Sequence, residues 1–147
     1  MDAKGLAVVA TAFAGALVAM QAPINGKLGS RLGTFQAASL SFAVGLVLLL
    51  SIALVFGNIS QLGEARNVPW WYLMGGLLGA AYVTTVLVCV GRLGAGGVTA
   101  ATIAGQLTFS VIIDNYGWLG VEKQPINATR IAGVLLLAVG VILVVRD

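Results

Sequence analysis

Five apolar runs of membrane-spanning length fill most of this sequence and limit its fold more than any other feature. They lie at about 5–24, 34–56, 70–90, 97–116 and 129–145, with short polar or glycine-rich breaks between them. A run of ~20 residues, rising ~1.5 Å per residue in a helix, matches the ~30 Å hydrocarbon core of a bilayer. A segment in that core must satisfy its own backbone hydrogen bonds, and these runs lack the alternation of barrel strands. The expected fold is therefore an all-α integral membrane protein, with five transmembrane helices in one domain covering residues 1–147. Charged residues make up only 9% of the chain, against about 25% in soluble domains, too few to keep a surface wet.

Lys4 followed by an apolar stretch could be read as a cleaved signal peptide. The run is long enough to span, however, and Pro23 falls where a mature chain would have to begin, so a permanent helix is expected. Aromatic residues mark the interfaces: Trp70, Trp71 and Tyr72 open the third run, and Tyr116 and Trp118 close the fourth.

Several function classes are disfavoured. The chain has no histidine, hence neither the commonest general base nor the commonest metal ligand. Its one cysteine, Cys89, sits in an apolar run. No phosphate-binding GxxxxGK[ST] motif occurs, and the basic residues are scattered singly rather than forming a nucleic-acid patch. No enzyme activity, cofactor, metal or nucleic-acid partner is expected; the bilayer itself is the first partner.

The distribution of charge bears on topology. With five spans, one side of the membrane would carry Lys4, Arg66, Lys123 and Arg130, and the other Lys27, Arg31, Arg92 and Arg146. Orientation normally follows an excess of Lys/Arg on the cytoplasmic side, and here there is none. Either the chain inserts both ways and pairs with an inverted copy, or a partner protein or charges near the first helix fix one orientation.

Small residues offer contact seams. Gly75/Gly79 and Gly76/Ala80 are small-xxx-small pairs in the third run, and Gly133 and Gly140 share a face of the last. Such pairs let helix backbones approach closely, within a chain or between chains.

Polar side chains are costly inside a membrane helix and usually face the bundle interior or a water-filled cavity. Thr102, Gln106, Ser110 and Asp114 recur every fourth residue of the fourth run. At ~100° per residue they cover an arc of about 120°, with Thr99 at its middle, as expected of a wall along a substrate path. Gln106, at mid-span, has no route to water. Asp114 could carry a proton or recognise a cation, but its place near the helix end favours a local cap or pair. In the first run Gln21 and Asn25 flank Pro23, where a broken hydrogen-bond ladder could free carbonyls for a ligand; the alternative is a plain helix end at Asn25-Gly26. Gln36, Ser39 and Ser41 could bond across helices without any transport role, each worth roughly 0.6–2 kcal/mol. Tyr82 could add an aromatic wall.

Together several stretches resemble the drug/metabolite transporter superfamily, most closely its small five-helix YdcZ-type subgroup. They are Gln21 through Gly29, Gln36 through Gly45, Pro69 through Ala80, Ala104 through Leu107, Ile113-Asp114 with Gly117, and Gly133 through Gly140. The resemblance implies a secondary transporter, commonly an exporter, in a bacterial inner membrane. Larger members look like two five-helix halves of opposite orientation, and small ones can work as paired chains, including antiparallel dimers. That agrees with the balanced charges and favours an inverted homodimer of ten helices, a paired homologous chain being the alternative. The superfamily's small multidrug exporters use a carboxylate in the first helix; this first run has no acid, so cation/proton exchange is not carried over.

The leading expectation is an exporter of a small metabolite or drug-like molecule working by alternating access, with substrate near the midplane between the helices of Gln106 and Gln21. The rivals are a non-transporting scaffold or accessory subunit and a lipid-type flippase.

Overall fold

In a computed structural model that describes residues 2–146, the chain is built of helices, and no strand occurs among the described residues. Four α-helices follow one another: α1 (Ala3–Leu32), α2 (Thr34–Phe56), α3 (Met74–Tyr116) and α4 (Ala128–Val145). Short 3-10 segments at Ile59–Asn67, Trp70–Leu73 and Trp118–Gly120 lie in the connections.

The side chains are arranged inside out relative to a water-soluble protein. Phe56 is 86% exposed, Leu136 72% and Leu49 65%. Leaving such groups in water forfeits about 1.5–3 kcal/mol each, whereas in hydrocarbon they lie in their own phase. The helices are long and apolar enough to cross a bilayer, and this is an integral membrane protein.

Two helix junctions turn on single glycines. Gly33 (φ 92°, ψ 155°) separates α1 from α2, and Gly94 (φ 67°, ψ 171°) interrupts α3. Both conformations are essentially reserved for glycine, because a Cβ would clash with the adjacent backbone. An unbroken α3 of 43 residues would be about 65 Å long, twice the hydrocarbon thickness. The break at Gly94 leaves residues 74–93 and 95–116 as two helical pieces of about 30 Å each.

α1 departs from the expected boundary near residue 24: it continues through Pro23, Asn25 and Gly26 to Leu32. Tertiary packing overrides the local turn signal. Ala22 and Asn25 are buried, and Leu28 packs on the small core formed by Ala37, Ala38, Val83 and Leu87. At Gly26 and Gly29 a Cβ would come within 2.8 Å of Val90 and 2.9 Å of Leu87, so α3 can sit this close only because these positions have no side chain.

The chain divides into two compact units. One comprises Gln21–Gly91: the second part of α1, all of α2 and the first part of α3. The other comprises the chain up to Met20 and from Arg92 onward. Within the latter, Val144 and Val145 lie beside Gly96 and Gly97, while Arg130 pairs with Asp114 at the far end. α4 therefore runs antiparallel to residues 95–116.

Candidate functional site

A hydroxyl on a helix can satisfy itself by donating to the carbonyl four residues back, and it can then face lipid at little cost. Thr11, Ser51, Thr85 and Thr108 do this, donating to the carbonyls of Ala7, Val47, Ala81 and Ala104 at 2.7–2.8 Å. Among the described residues, no such bond is made by Ser41, Thr99, Thr102 or Ser110, and the amides of Gln21, Asn25 and Gln106 likewise lack an internal partner. Polar groups inside the membrane-length helices thus fall into two sets, one closed on its own backbone and one left open.

The open set is divided between the two units. In the Gln21–Gly91 unit, Gln21, Ser41, Phe42, Gly45, Leu46 and Leu49 line a groove of about 290 Å³. Ser41, Phe42, Gly45, Leu46 and Leu49 share one face of α2 by helical spacing, and Gln21 comes from α1. Asn25, one turn beyond Gln21, is only 5% exposed. No fully enclosed side-chain polar atom among the described residues lacks a partner, so the Asn25 amide retains an opening. Tyr82 packs against the small core on α3.

In the other unit, Thr102 is half-buried and Gln106 and Ser110 are exposed, all on the same helical face, while Thr108, off that face, is back-bonded. Beside this face a larger groove of about 530 Å³ is almost wholly apolar, Thr99 being its one polar lining residue and Gly140 one of its small ones. Asp114 is not an isolated carboxylate. Arg130 Nη1 donates to Asp114 Oδ2 at 3.2 Å and to the Gln124 carbonyl at 3.3 Å, and Nη2 donates to Gln124 Oε1. The backbone closes the same turn: Gln124 N donates to the Asp114 carbonyl at 2.8 Å, and Ile126 N to Asn115 Oδ1 at 3.1 Å. Asn127 caps α4 by accepting from Arg130 N. The stacked rings of Tyr116 and Trp118 flank the turn.

The glycine seams behave differently from one another. A Cβ on Gly79 would lie 3.5 Å from the Phe42 ring, an ordinary contact, so this position faces α2 within the chain. Gly75, Gly76, Gly133 and Gly140 have nothing within 4 Å of such a Cβ, and Ala80 is exposed.

Of the sequence-derived candidates, Gln21, Asn25 and Tyr82 belong to one unit and Thr102, Gln106, Ser110 and Asp114 to the other. Sequence reasoning treated Ser41 as a possible inter-helix bonder, with no link to Gln21, and it did not single out Arg130 and Gln124 as partners of Asp114. The spacing of Asn127 and Arg130 at a helix start was a visible cap signal, but a pairing across 16 residues has no local signature. Among the described residues, no three His, Cys, Asp or Glu side chains converge as a metal site would require.

Comparison with known proteins agrees with this picture of lipid-facing helices carrying open polar groups. A family model described as "Putative inner membrane exporter, YdcZ" matches residues 6–143. The inner membrane protein YdcZ of Escherichia coli (strain K12) is 33% identical over 111 residues, covering 75% of this chain and 74% of that protein. No solved structure matches. The family is an exporter class rather than an enzyme class. With a match over nearly its whole length, and with helices that only a bilayer can solvate, this chain belongs to the YdcZ family of inner-membrane exporters and is a multi-pass transporter of the bacterial inner membrane.

Proposed function

We propose that the chain is a secondary-active exporter of a small metabolite or drug-like molecule, working by alternating access as an antiparallel homodimer of ten helices. The observation that carries this reading is the sorting of polar groups. Thr102, Gln106 and Ser110 stay open on one helical face, whereas Thr108, on the same helix, is closed on its own backbone. An open amide at mid-span is stable only if water, substrate or another chain meets it. Gln21 and Asn25 supply a second open set and Tyr82 an aromatic neighbour; Asp114, held by Arg130, closes the end of the pathway rather than carrying charge through it.

The break at Gly94 supports counting α3 as two crossings, hence five per chain with termini on opposite sides. Four Lys/Arg then fall on each side, which leaves neither orientation preferred. The unfilled seams at Gly75, Gly76 and Gly133 offer backbone approach for an inverted copy or a paired homologous chain.

Replacing Gln106 with Leu should abolish flux in proteoliposomes while the assembled mass in detergent stays the same. Unchanged flux would remove Gln106 from the pathway. One observation favours a second reading: the 530 Å³ apolar groove suits an acyl chain, as a lipid-type flippase would require. In that case flux of a labelled lipid would survive Gln106→Leu and be lost on filling the groove at Gly140.

A further inference from the structure

We propose that the groove between α1 and α2 binds an uncharged, ring-sized molecule that carries an amide or hydroxyl group. The inference rests on the exporter reading and assigns its substrate class.

No residue lining the groove is ionisable: Gln21 and Ser41 are its polar members, and Phe42, Leu46 and Leu49 supply its apolar wall. Nor does any Asp, Glu, Lys or Arg occur in α2 or in α3 from Met74 to Gly91. Lys27 and Arg31 are the cations on this unit's part of α1. Lys27 lies six residues beyond Gln21, which places it about 120° around the helix from the groove, and Arg31 lies about 15 Å along the axis from Gln21. An ion entering the groove would lose hydration and gain no counter-charge, the costliest form of burial. A neutral molecule meets no such penalty.

The polar members define the rest of the ligand. The Gln21 amide is both donor and acceptor, and the Ser41 hydroxyl likewise. Neither is used inside the chain, although Ser51 on the same helix is back-bonded to Val47. Along α2 the lining runs from Ser41 to Leu49, about 12 Å, so a hydrogen-bonding end and an apolar end are set apart on one face. A volume of about 290 Å³ sits at the small end of the roughly 300–1,000 Å³ range of ligand pockets, room for one or two rings. A lipid tail would leave Gln21 and Ser41 unpaired.

Gly45 provides a direct handle. It lines the groove, and a Cβ there meets nothing within 4 Å, so a larger side chain fills the groove without disturbing the packing. The test is saturation-transfer NMR on the full chain in phosphatidylcholine nanodiscs, with empty discs as background. Benzamide, benzoate and benzamidinium serve as probes of one shape and three charges. Benzamide should give a response above background and exceed both ions by about tenfold, as expected when only the ions pay for desolvation. Gly45→Leu should abolish that response and Gln21→Leu should weaken it. An equal or greater response to either ion, a benzamide response that survives Gly45→Leu, or none from any probe would overturn the proposal. So would a Gly45→Leu variant that changes the assembled mass, since the groove would then be an interface with a second copy. Binding needs no gradient, so its outcome is separate from flux: a purified, unaltered chain that moves nothing in proteoliposomes breaks the exporter reading alone, and an ion-preferring groove breaks this inference alone.

Discussion

Arg130 holds the turn between α3 and α4 closed, and removing its side chain should open that turn measurably. Its guanidinium reaches Asp114 Oδ2 at 3.2 Å, the Gln124 carbonyl at 3.3 Å and Gln124 Oε1. A fully buried bond of this charge-assisted kind is worth about 1.5–3 kcal/mol. The Arg130 and Asp114 side chains are 26% and 33% exposed, and exposed pairs contribute only ~0–1 kcal/mol. Taking the three contacts together and discounting for solvent, Arg130→Ala should ease local opening by about 2 kcal/mol, or about thirtyfold in the opening equilibrium. Hydrogen exchange reads this directly at two amides the turn protects: Gln124 N, bonded to the Asp114 carbonyl at 2.8 Å, and Ile126 N, bonded to Asn115 Oδ1 at 3.1 Å. Both should exchange about thirtyfold faster in the variant, by that same estimate, while amides in the middle of α2 stay unchanged. Arg130→Lys should fall between, because one ammonium keeps the charge but cannot present the guanidinium fork. If Gln124 and Ile126 keep their protection in Arg130→Ala, the turn is held by its backbone alone and the reasoning fails.

Gly94→Ala should destabilise the protein by about 1–3 kcal/mol, the cost of forcing a Cβ into that backbone region; equal stability in reversible denaturant titration would show that the break can relax. Gly79→Leu, which drives a side chain into Phe42, should lower the stability of the single chain, whereas Gly75→Leu, entering open space, should lower only cross-linking between chains. If both variants act on the same property, the division of the seams is wrong. Tags reporting the C-terminus from inside and outside the cell should find it on both sides; one orientation would exclude the inverted homodimer.

Membrane residence and the helical fold were legible in the sequence, because hydropathy and segment length are local and additive properties. The 9% charge content and runs such as Thr34–Phe56, which carries no charge at all, admit no other solvent than lipid. The polar face of Thr102, Gln106 and Ser110 was equally visible, since helical spacing alone places those residues together. Tertiary structure decided what depends on partners distant in sequence. Pro23 and Asn25-Gly26 read as a helix end, yet α1 runs on to Leu32 because Val90 and Leu87 pack against its glycines. The Gly79 seam could have served either one chain or two until Phe42 was found beside it, and the local pairing expected of Asp114 near its helix end gained its partner, Arg130, only in the folded chain. Ser41 and Gln21 meet at one groove for the same reason. A sequence displays which side chains need partners, but only the packing of one helix on another determines which partner each one meets.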